Sequence, residues 1–123
     1  MAFTKTATPT ALAGVLVTST SLNSTANNNV TGSTSGSIYQ IQIDNSANPD
    51  TTVYVKIADA SSAIPATTIA KWILPIRGGQ KMSYIMDVGV AYASGVSIWC
   101  TTMPATGSQG APGNDISITM LAS

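Results

Sequence analysis

Residues 37–44 read Ser-Ile-Tyr-Gln-Ile-Gln-Ile-Asp, with Tyr39, Ile41 and Ile43 on one parity and Gln40, Gln42 and Asp44 on the other. A period of two is what a strand with one buried face requires, because successive side chains of an extended backbone point to opposite sides. The alternation returns in Val53, Val55 and Ile57 against Tyr54 and Lys56, and in Met82, Tyr84 and Met86 against Ser83 and Ile85. It returns again in Ile98 and Cys100 against Ser97, Trp99 and Thr101, and in Ile116, Ile118 and Met120. No useful length of chain carries apolar residues at helical spacing. Turn signals separate the alternating segments at roughly 8 to 12 residues, so the expected fold is all-β: a single antiparallel β-sandwich or jelly-roll-like domain of about seven or eight strands.

The punctuation sets further expectations. The turn over 45–50, Asn-Ser-Ala-Asn-Pro-Asp, is expected to join 37–44 and 51–58 as a hairpin. Pro75 cannot donate to a central ladder, which makes 69–76 an edge strand. Residues 11–20 are a first strand candidate, the polar 19–37 a loop or one short edge strand near Val30, and 59–68 has room for a single helical turn. Residues 87–95 are expected to bend before the strand at 96–102, and a loop over 103–114 leads to the last one. Residues 1–10, with Phe3 and Pro9, form an extended N-terminal arm, and 11–123 form the sandwich. Lys5 followed by the apolar run at 11–17 has the outline of a targeting segment, but that run is too short to span a bilayer and reads equally as a strand. We take it as structure.

At 123 residues the chain supports one hydrophobic core. Charged residues make up 8% of it, five Lys or Arg and five Asp with no Glu, against about 25% in ordinary soluble domains. A surface of Ser, Thr, Asn, Gln and Ala with zero net charge repels neither copies of itself nor a partner, as suits a protein that lives in an assembly. A secreted β domain has a similar composition. Five cations, of which only Lys71, Arg77 and Lys81 are loosely grouped, argue against nucleic acid.

Chemistry is constrained by what is missing. Without histidine, neither a Ser-His-Asp triad nor a His-ligated zinc site can be assembled, and without glutamate paired carboxylates must come from five aspartates. Asp44, Asp50, Asp87 and Asp115 sit at strand ends, where Asp commonly accepts from nearby backbone amides. Asp44, Asn45, Asn48 and Asp50 cluster oxygens within one turn but lack calcium-loop spacing. No enzyme activity, cofactor or metal is therefore expected. Cys100, the single cysteine, alternates with Ile98 as a small core residue.

The aromatic residues supply the remaining candidates. Trp99 shares the polar parity of its strand and is expected to close the sandwich end or pack under the 103–114 loop. Trp72, in an edge segment, is expected to anchor a protein interface, and Phe3, Arg77 and Tyr92 are the other candidate contact residues.

Leu74-Pro75-Ile76-Arg77-Gly78-Gly79-Gln80, a short strand ending in Met86-Asp87, and then Gly89-Val90-Ala91-Tyr92-Ala93-Ser94-Gly95-Val96-Ser97-Ile98 together cover about a quarter of the chain. This pattern resembles small virion proteins of tailed bacteriophages, especially capsid decoration (cement) proteins and small tail or baseplate β-sandwiches. The resemblance implies a protein on the capsid surface of the virion that contacts the major capsid protein and copies of itself, often as trimers, and stiffens the shell without chemistry. Two alternatives stand beside it: a tail, baseplate or fibre component, and a carbohydrate-binding module stacking sugars on Trp72, Tyr84 or Trp99.

Overall fold

The computed structural model describes residues 14–108 and 110–123. The arm at 1–10 and the start of the first expected strand, Ala11 to Ala13, lie outside the described residues. Seven strands follow among the rest: β1 (Val15–Leu22), β2 (Gly36–Asp44), β3 (Val53–Ala58), β4 (Trp72–Ile76), β5 (Lys81–Tyr92), β6 (Ser97–Thr101) and β7 (Ile116–Ala122). They form a four-stranded sheet in the order β1-β7-β2-β5 and a three-stranded sheet in the order β4-β3-β6, antiparallel throughout. No helix among the described residues is long and apolar enough to cross a membrane.

The core is the alternation of both sheets turned inward. Ile41, Ile43, Ile116, Ile118 and Met120 from one sheet meet Val53, Val55, Ile57, Ile98 and Cys100 from the other, all at 4% exposure or less. Burying side chains of this size contributes about 1.5–3 kcal/mol each, so the facing strips supply most of the driving force. β4 is an edge, as Pro75 requires, and it pairs only with β3. The 59–70 connection contains one turn, closed by Thr67 and Thr68 amides donating to the Ile64 carbonyl.

Four local expectations change. The segments at 37–44 and 51–58 are not a hairpin: β2 and β3 belong to opposite sheets, and their apolar faces meet across the core. The crossing is held by Asn45, fully buried, whose Nδ2 donates to the carbonyls of Thr51 (2.9 Å), Ile76 (3.3 Å) and Arg77 (3.2 Å). Its Oδ1 accepts from Asn48 Nδ2 at 3.0 Å, and Asn48 in turn binds both the amide and the carbonyl of Asn114. Gly78 lets this knot close, since a Cβ there would lie 2.5 Å from the Pro49 carbonyl oxygen.

Tyr39 is not a core residue. Against β7, a bulge between Ile38 and Gln40 inserts one residue into β2, and inverting the parity there puts Ile38, at 1% exposure, inward. Residues 87–92 do not leave the sheet. β5 runs on to Tyr92, kinked where Ile85 and Val90 pair with Gln40 and Ile38, respectively. Gly89 (φ 78°) makes that kink, packed beneath the Tyr39 ring.

Trp99 is buried at 1% exposure, but under the 59–70 connection, against Ala58, Ala63 and Ala70. Lys56, its cross-strand neighbour, is equally hidden, with Nζ donating to the Ala105 carbonyl at 2.8 Å. Loops thus cover the outer face of the three-stranded sheet, and burial lowers the pKa of Lys56.

Candidate functional site

The two sides of the sandwich are finished differently. On the β1–β6 side, residues 23–30 run along the outer edge of β6. Cys100 and Ile98 amides donate to the Asn23 and Asn27 carbonyls at 2.8 and 2.9 Å, and Asn27 and Val30 amides donate back to Ile98 and Val96. Of the polar 19–37 stretch, residues 19–22 complete β1 and 36–37 open β2, while 23–30 form a strap with a single β-bridge, and Val30 packs on the core.

Among the described residues no such strap covers the β4–β5 side. Both strands are sheet edges, joined by the turn at 77–80 and by Tyr84 Oη donating to the Pro75 carbonyl at 3.1 Å. Between them lies an apolar groove of about 210 Å³. Ile38, Ile41, Tyr84, Met86 and Val90 line it from the larger sheet, and Ile57, Trp72 and Leu74 from the smaller. Four of the seven large apolar residues exposed among the described ones, Ile69, Ile73, Ile85 and Val88, lie on or beside these two strands; Ile85 is 71% and Val88 91% exposed. The sequence parity of Ile85 already put it on the outside of its strand. The groove itself needed both sheets.

The rim is cationic but largely compensated. Lys71 sits 4.9 Å over the Trp72 ring and pairs with Asp59 at 3.4 Å, and Lys81 pairs with Asp44 at 3.6 Å. Arg77 is exposed on the turn and enters no ion pair among the described residues. The Asp59 carboxylate accepts from the Ser94 and Ala93 amides, which with Lys71 hold its pKa below the ordinary range. Hydrogen bonding from Ser46, then Lys81, does the same for Asp44. Both carboxylates are engaged as ionised anchors for backbone, not held neutral as proton donors.

The expected contact residues separate. Trp72 is half-buried with its ring walling the groove, Arg77 is free on the rim, and Phe3 lies outside the described residues. Tyr92 is a correction: at 3% exposure it is internal, its hydroxyl donating to the Ser123 carbonyl at 2.6 Å and lying 3.0 Å from Thr31 Oγ1. Strand parity places it inward at the end of β5. The oxygens of the 45–48 turn are also taken, since Asn45 Oδ1, Asn48 Oδ1 and Asp44 Oδ1 each accept from a neighbouring N–H.

Such a groove can bury apolar groups and can do little else. Its one hydroxyl, on Tyr84, already donates to Pro75, and sugar recognition needs polar groups that converge on hydroxyls. Trp99, buried, offers no stacking face. A protein surface supplying an aliphatic or aromatic side chain fits best. No protein-family model, no curated protein and no solved structure matches this chain.

Proposed function

We propose that this chain is a structural virion protein, a decoration or cement protein that binds a phage capsid shell and stabilises it through protein–protein contacts. The observation that carries the reading is the β4–β5 side, which no strap among the described residues covers: an apolar groove between two edge strands that also carry the exposed Ile73, Ile85 and Val88, on a molecule with 8% charged residues and no net charge. An open apolar edge is a liability for a free monomer and an asset for a subunit whose neighbour covers it. The sparse charge removes the like-charge repulsion that keeps solitary proteins apart.

Binding energy would come from burying the edge. Full burial of Ile85 and Val88 contributes about 1.5–3 kcal/mol each, enough for a repeated contact to stiffen a lattice. The major capsid protein and further copies of this chain are the partners on this reading.

The test adds the purified protein to shells that lack it. Stoichiometric decoration and a higher particle melting temperature are expected, and Ile85→Asp with Val88→Asp should weaken decoration at least about tenfold while leaving the monomer's own melting nearly unchanged. Particles whose melting does not move at saturation, or density for the protein on the tail axis in a particle map, would overturn the capsid assignment.

A further inference from the structure

β5 ends the larger sheet, so its outer row of amides and carbonyls faces no strand among the described residues. It opens with Lys81-Met82-Ser83-Tyr84-Ile85-Met86-Asp87, a cation and an anion at the two ends, a methionine next to each, and a tyrosine in the middle. We propose that this segment pairs antiparallel with the same segment of a second copy of this chain, about a two-fold axis at Tyr84, so that the two larger sheets join into one. The proposal deepens the reading of the β4–β5 side as a contact surface, and rests on it.

Charge complementarity selects a second copy as the partner. A two-fold pairing of edges leaves both sandwiches on the same side of the joint sheet, so opposed residues must share a face. With Tyr84 opposite Tyr84, Lys81 of each copy meets Asp87 of the other and Ser83 meets Ile85 on the outer face, while Met82 meets Met86 on the inner one. Lys81 and Asp87 are the only charged residues of β5, and no other antiparallel register opposes them. Both are exposed. Asp87 enters no ion pair among the described residues, and Lys81, its side chain 74% exposed, meets Asp44 at 3.6 Å and keeps donors for a second carboxylate.

The strand has the shape this pairing needs. Exposure alternates without a break from Lys81 to Asp87, so the segment stays extended past Ile85, where the ladder to β2 is interrupted, and ends before the kink at Gly89. The charges also fix the alignment: in the neighbouring two-fold registers Lys81 faces Ile85 or Gly89, and neither charge finds a partner. The apolar groove gains its missing side from the same contact. Tyr84 and Met86, which wall it, come against Tyr84 and Met82 of the second copy, so the grooves of both copies close together.

Charge exchange on the full-length chain tests this. Lys81→Asp and Asp87→Lys should each raise the dissociation constant for self-association at least about tenfold by sedimentation, because symmetry then sets two like-charge pairs across the axis. Mixed in equal amounts, the two variants should bind each other at least about tenfold more tightly than either binds itself, since every pair across the axis is then attractive. Disulfide formation leaves both charges in place and decides the matter if a charge variant fails to fold. Ser83→Cys carrying a mass tag, mixed with Ile85→Cys, should cross-link well above the yield of Ser83→Cys with a control, Thr18→Cys on β1, with Cys100 too buried to interfere. A wild-type chain that stays monomeric at its highest soluble concentration, single charge variants that associate as wild type does, a mixture no tighter than its components, or cross-linking at the control level would each overturn the proposal. Shell binding retained by a protein that fails these tests removes this inference alone. Self-association as expected in a protein that binds no shell supports it and removes the functional reading instead.

Discussion

Replacing Asn45 by Asp changes one NH2 group to oxygen and should cost more than removing the side chain altogether. Asn45 is fully buried, and its Nδ2 is the shared donor to three carbonyls from two separate turns. Asn45→Ala leaves those carbonyls without that donor, at a net cost of about 1 kcal/mol each, or about 3 kcal/mol in all. Asn45→Asp keeps the shape but aims a carboxylate oxygen at three carbonyl oxygens. Both the unmade hydrogen bonds and an uncompensated buried charge then count, and the loss should exceed about 4 kcal/mol, a large part of the total stability of a small domain.

Acid should reverse part of it. Burial raises the folded-state pKa of the new carboxyl above its unfolded value, so the penalty is present above the folded pKa and fades as pH falls through it. A protonated Asp also regains one donor. Urea denaturation followed by tryptophan fluorescence at pH 7 and pH 5 measures both effects. The ranking wild type, then Asn45→Ala, then Asn45→Asp at pH 7, with the gap to Asn45→Asp narrowing at pH 5, is expected. Asn45→Asp within about 1 kcal/mol of wild type at pH 7 would refute the donor assignment.

Other outcomes follow from the same geometry. Burial, with a smaller contribution from Asp115, pushes the Cys100 thiol from 9.0 up to about 12, so its contribution to stability is complete below pH 9 and lost as pH climbs through that window. Cys100→Ala should accordingly lose about 3 kcal/mol less than wild type between pH 8 and pH 11, and Cys100 should resist thiol reagents until the protein unfolds. Gly89→Ala places a methyl 2.8 Å from Tyr39 Cε1 at φ 78°, and should destabilise by about 2 kcal/mol or more in thermal unfolding. Iodide should quench the half-buried Trp72 and spare Trp99, so Trp72→Phe should abolish most quenching of the folded protein.

Strand identity was legible because it is local. The parity of Met82, Tyr84 and Met86, and of Ile116, Ile118 and Met120, survives folding unchanged, and Pro75 marks an edge whatever its neighbours are. The hairpin failed because a turn signal says that the chain reverses, and not whether it reverses within a sheet or between two. That choice was made by Asn45, which reads as an ordinary turn residue until the carbonyls of Ile76 and Arg77, more than thirty positions away, come to its amide. Tyr39 was misplaced because a bulge is a property of the pairing and not of the strand.

The candidate site was legible only in fragments. Trp72, Arg77 and the outward Ile85 could be singled out one by one, but a groove is a relation between β4 and β5, whose walls come from two sheets. Tyr92 shows the converse error, an aromatic residue taken for a contact because 87–95 was expected to bend away, so the inward parity it shares with Met82, Tyr84 and Met86 was not carried to it. By itself the sequence determined that this chain makes strands, which faces are apolar, and that acid–base catalysis lacks its usual side chains, because those properties reside in each residue and its nearest neighbours. Only the tertiary structure decided what covers each face. Lys56 and Trp99, on the polar parity, are buried because distant loops fold over them, whereas Met86 and Leu74, on the core parity, line an open groove because no segment among the described residues closes that side.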